Sequence, residues 1–134
     1  MDSLPFHLKV PGKDALTATT ASSTKFRFHG LLHLQEDTIH LEWTGTARVE
    51  RVSLLAVNEE TLALPDEFLT LPLARIREME LRGGWWRPRL ELMGNDLEAL
   101  RIVPSEDRGR VRLWLARRDR TLASEIAARA RALR

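Results

Sequence analysis

From Phe26 to Trp43 the chain alternates apolar and polar residues with a period of two, and the alternation breaks once. Phe26, Phe28, Gly30, Leu32 and Leu34 fall on one face, with Arg27, His29, His33 and Gln35 mostly on the other. After Glu36-Asp37 the pattern resumes, with Ile39, Leu41 and Trp43 against Thr38, His40 and Glu42. This is the side-chain spacing of half-buried strands, and two such runs around a two-residue break spell an antiparallel hairpin. A turn centred on Glu36-Asp37 pairs residues whose numbers sum to 73. Such strands cannot cover their own apolar face and need a second layer.

The remainder of the chain supplies that layer. Arg48–Val57 reads as a strand of mixed parity, followed by turns at Asn58-Glu59-Glu60 and Pro65-Asp66. Phe68–Leu71 reads as a short strand stopped by Pro72. Ile76, Met79 and Leu81 mark a strand ending at Gly83-Gly84, and Arg89–Met93 another closed by Gly94-Asn95-Asp96. Leu97–Val103 fits either a strand or a helical turn, and Ser105–Gly109 is a polar loop. Val111, Leu113 and Leu115 alternate with Arg112, Trp114 and Ala116 in a last strand. The spacing then becomes helical: behind Asp119 as N-cap, Leu122, Ile126, Ala130 and Leu133 form one stripe with Ala123 and Ala127 beside it. At the other end, Phe6–Val10 reads as an arm, joined by the unpatterned TATTASST of Thr17–Thr24. The expected organisation is an N-terminal arm and linker over 1–24 and one domain over 25–134. Its class is α+β: a strongly bent antiparallel sheet or small barrel of about seven strands, capped by one C-terminal amphipathic helix.

This layout resembles the pleckstrin-homology-like (PH-like) fold. Leu31–Trp43 is similar to the opening hairpin of bacterial members. Phe68-Leu69-Thr70-Leu71-Pro72-Leu73-Ala74-Arg75-Ile76 is similar to their entry into the middle strands, and Arg117–Ala123 to their strand-to-helix junction. The resemblance covers roughly residues 25–134 and bears on fold more than on function. Phosphoinositide-binding members place basic residues around the first hairpin turn, whereas this turn is Gln35-Glu36-Asp37-Thr38. Two carboxylates repel a phosphorylated headgroup, so the usual phosphoinositide site is not expected. Eukaryotic members also carry a tryptophan inside the terminal helix; here Trp114 precedes it.

Composition narrows the chemistry. The 134 residues contain no cysteine, which excludes disulfides, thiolate metal sites and a cysteine nucleophile. No glycine-rich phosphate loop, nucleophile elbow, HExxH or dinucleotide fingerprint occurs, so an enzyme is not expected, nor is a cofactor. No apolar run spans a membrane and the first 25 residues lack a signal-like core, which makes a cytoplasmic protein the expectation. The net charge of +2 averages two unlike regions: −5 over residues 26–67 and +6 over 68–134, the latter with fifteen arginines.

Three features are candidates for function. His33 faces His40 in the expected register, with Glu42 diagonal to His33, a set able to hold zinc or nickel; the blander reading is a solvated strand face. Arg82-Gly83-Gly84-Trp85-Trp86-Arg87-Pro88-Arg89 makes a cationic aromatic tip, with Arg82, Trp85, Trp86, Arg87 and Arg89 as the expected binding residues. Adjacent tryptophans cannot both point inward, so one at least is exposed. The helix, with six arginines against Asp119 and Glu125 over residues 117–134, is a basic surface whose outer face reads as solvated. The expected role is a non-catalytic binding or scaffold module for a protein or peptide, self-association as a homodimer included. The alternative is an anionic lipid surface or nucleic acid, bound through the Arg/Trp hairpin and the basic helix.

Overall fold

The computed structural model describes residues 3–106 and 109–133. Its centre is the hairpin of β3 (Thr20–Gln35) and β4 (Thr38–Ser53), sixteen residues each. All sixteen registered pairs sum to 73, from Gln35 opposite Thr38 to Thr20 opposite Ser53, with no bulge. The reversal costs one left-handed residue, Glu36, at φ 55°.

Shorter strands line this hairpin end to end. On the β3 side, β1 (Leu4–Leu8) pairs with residues 28–32 and β2 (Lys13–Leu16) with residues 21–24. On the β4 side, β6 (Glu67–Pro72) pairs with residues 38–43 and β5 (Val57–Ala63) with residues 46–52. Beyond β1 the sheet continues through β9 (Arg110–Trp114), β8 (Arg89–Gly94) and β7 (Ile76–Arg82). The order β5-β4-β3-β1-β9-β8-β7 leaves β5 and β7 at the edges, so the sheet is unclosed. β1 meets β9 through one registered pair, His7 opposite Trp114, and this seam joins the hairpin half to the β7–β9 half. The helix α1 (Arg120–Leu133) follows a 3₁₀ turn at Arg117–Asp119 and packs against β7.

Burial follows strand parity. Leu4, Leu32 and Leu41 stand in one registered row on the core face, beside the buried Leu34 and Ile39. Met79, Leu90, Leu92, Val111 and Leu113 line the same core from the other half, and Ala123, Ile126 and Ala130 close it from the helix. Gly30 is required within the hairpin: a Cβ there would lie 2.0 Å from the Glu42 carbonyl oxygen and 2.8 Å from Phe6 Cζ. The antiparallel sheet with a terminal helix is therefore the α+β architecture expected, built from nine strands rather than seven among the described residues.

Three local expectations are corrected. Leu4–Leu8 is a strand inside the sheet, and Thr20–Thr24 belongs to β3 rather than to a linker. Asn58-Glu59-Glu60 lies within β5; the reversal falls at residues 54–56, where the Ser53 amide donates to the Ala56 carbonyl at 2.9 Å. Of the two readings of Leu97–Val103 the structure takes the turn rather than the strand, started by Asp96 Oδ1, which accepts from the Glu98 and Ala99 amides at 2.9 and 3.0 Å. Part of the expected loop Ser105–Gly109 lies outside the described residues.

Six pairs of the β3–β4 ladder run past Phe26 and Ala47, flanked by β2 and β5. Both flanking strands are exposed along their whole length. This far part of the sheet is a single layer, ending at Leu54 and Leu55, which are 88% and 98% exposed.

Candidate interaction site

The β7–β8 connection is a tight reversal because Gly83 and Gly84 adopt φ of 87° and 62°. A side chain at Gly83 would collide with the Arg87 carbonyl at 2.0 Å, so the glycine is a steric requirement. Pro88 is buried and anchors the return into β8. Between these anchors both Trp85 and Trp86 are exposed, at 62% and 70%. Their rings meet edge to face at 5.1 Å and 85°, a favoured aromatic geometry. The Arg117 guanidinium lies 4.5 Å from the Trp86 ring and 5.2 Å from the Trp85 ring, within cation–π range of both. Arg120 Nε donates to the Gly84 carbonyl at 3.4 Å and ties the start of α1 to the turn. Arg87 is exposed beside the pair.

The five expected tip residues therefore separate. Trp85, Trp86 and Arg87 form the tip, whereas Arg82 and Arg89 turn onto the outer face of the sheet. There Glu91, 8% exposed, receives Arg89 Nε and Arg112 Nε at 3.1 Å on Oε1 and Arg82 Nε at 3.1 Å on Oε2. Burial alone would raise the Glu91 carboxyl. Hydrogen bonds from Arg89 and Arg112, with the nearby charges of Arg89 and Arg110, outweigh burial and hold it below the ordinary glutamate value. Arg117 and Arg120 were missed as tip residues, although the Arg117-Arg118-Asp119-Arg120 cluster at the strand-to-helix junction is visible in the sequence.

His33 and His40 face each other as the register requires, their rings stacked at 4.9 Å and 16°. His40 Nδ1 bonds the Thr70 hydroxyl at 3.1 Å, while His33 Nδ1 is buried without a hydrogen-bond partner among the described residues. Glu42 does not complete a metal set with them. Among the described residues no group of three or more His, Cys, Asp or Glu could hold a metal ion.

A groove beside β1, β3, β4 and β6 was not legible in the sequence pattern. It measures about 620 Å³ and is open to solvent. Pro5, Leu31, Glu42 and Phe68 stand in one registered row along it, with His29 and Thr44 in the next. Phe68 is 76% exposed, and Asp66 and Glu67 line the rim. No helix among the described residues is long and apolar enough to cross a membrane. Compared with family models, curated proteins and solved structures, the chain matches none.

Proposed function

We propose that this chain is a non-catalytic, cytoplasmic binding module of the PH-like type, and that it recognises a protein or peptide through Trp85 and Trp86. The observation that carries this reading is the aromatic pair itself, fixed by two left-handed glycines and a buried proline and held under the Arg117 guanidinium. Rigid tryptophans with a flanking arginine are the residues that dominate protein interfaces, because they bury large area at little cost in side-chain entropy. The long first hairpin, the short middle strands and the helix packed on β7 support the PH-like assignment. An anionic polymer or lipid surface is the weaker reading, because Arg82 and Arg89 are already engaged by Glu91 and leave the tip with less free charge.

Selection of peptides on the immobilised protein tests this. Selected peptides should bind at least tenfold more weakly to Trp86→Ala. Affinity falling steeply with salt, together with binding to anionic liposomes or single-stranded DNA, would replace the peptide reading by the anionic one.

A further inference from the structure

We propose that the groove on β1, β3, β4 and β6 receives the Trp85-Trp86-Arg87 tip of a second copy of this chain. The proposal rests on the reading of the tip as a protein-binding surface and names its partner. Charge is the first argument. Glu42, Asp66 and Glu67 line the groove, and among the described residues no cation pairs with any of them. At the tip, Arg87, Arg117 and Arg120 likewise have no carboxylate partner among the described residues, although most other arginines of the β7–β8 region do. Three unpaired carboxylates and three unpaired guanidinium groups thus stand on separate surfaces of one molecule.

Shape and polarity agree with charge. Phe68 stands directly opposite Glu42 in the β4–β6 register, so an aromatic ring and a carboxylate stand side by side on one face of the sheet. The tip offers the converse pairing, indole rings beside guanidinium groups. An edge-to-face contact on Phe68, with an arginine over the acidic rim, satisfies both surfaces at once. A volume of about 620 Å³ lies within the range that encloses a group of double-ring size.

The tip is the turn between β7 and β8, and the groove lies beyond β9 on the other side of the sheet. Tip and groove are therefore separate surfaces, and two copies can either exchange tips about a two-fold axis or dock head to tail. The reciprocal exchange closes as a dimer, whereas the head-to-tail contact grows into a chain or closes into a ring.

Complementation decides the matter. A tip variant, Trp85→Ala/Trp86→Ala, keeps the groove; a groove variant, Glu42→Lys/Glu67→Lys, keeps the tip. All four side chains are exposed, and equal thermal unfolding midpoints for the three proteins will confirm intact folds. By light scattering the wild-type mass should rise with concentration to that of a dimer or beyond. Each variant alone should associate at least tenfold more weakly. Mixed in equal amounts, the two variants should form a one-to-one pair and nothing larger. A wild-type protein that stays monomeric up to about 1 mM, single variants that still assemble, or a mixture that fails to pair would each overturn the proposal. A monomeric wild type that still binds selected peptides through Trp86 would sink this proposal alone and leave the peptide-binding reading standing.

Discussion

Glu91 is the residue on which the β7–β9 half turns. Its strand parity points it outward, yet it is nearly buried because three guanidinium groups from β7, β8 and β9 close over it. A carboxylate removed from water keeps its charge only when it is this well bonded. Changing Glu91→Gln preserves the volume and leaves Arg82, Arg89 and Arg112 facing one another. Complete loss of a buried partner costs about 3–5 kcal/mol. These arginines are 28–50% exposed and solvent screens them, so about 1–3 kcal/mol is expected here. The pH dependence has a definite sign. The folded-state pKa lies below the unfolded one, so this stabilisation is complete above the ordinary glutamate value of 4.5. It is lost as pH falls through the lowered folded value. Thermal unfolding of wild type and Glu91→Gln should differ most at neutral pH and converge on acidification; a gap that widened on acidification would refute the assignment.

At the scale of elements, the helix and the hairpin show what periodicity can and cannot reveal. Of the expected stripe, Ile126 and Ala130 are buried against the sheet with Ala123 and Ala127 beside them, Leu122 is half-buried, and Leu133 at the end is 45% exposed. Ile126→Ala should therefore lower stability by about 2–4 kcal/mol, and Leu133→Ala by under about 1 kcal/mol, in denaturant titrations. Equal losses would mean that the helix is docked differently. The core half of the hairpin was legible because one face is buried and the other wet, which writes a period of two into Phe28–Trp43. Residues 13–24 carried no such signal: none of residues 13–16 and 20–24 is buried, so nothing selects alternation, and backbone hydrogen bonds hold Thr20–Thr24 whatever the side chains are. The reversal at Leu54-Leu55 was missed for the related reason that two leucines resemble a core strand. At the tip the two tryptophans and glycines were readable locally. Arg117, Arg120 and the groove arise from contacts between segments distant in sequence, which no local pattern records.

For the molecule as a whole, the division is between a two-layered body and a single-layered extension. The body has the helix over its sheet, whereas β2, β5 and the ends of β3 and β4 share no apolar core. Local opening free energies follow buried contacts. Amide hydrogen exchange should therefore be fastest at Lys13–Leu16 and Val57–Ala63 and slowest at β1, β8 and the inner hairpin; uniform protection would show that the extension is covered in solution. The seam between His7 and Trp114 has a temporal side as well. These partners are separated by more than a hundred positions of chain, while the hairpin closes between neighbours. On a ribosome β1 can settle against β3 early, but its second edge stays bare until β9 has emerged. For most of the time it takes to make this protein, β1 is an open edge in the middle of what will become a continuous sheet, and a nascent-chain binder that protects such edges would find its target there.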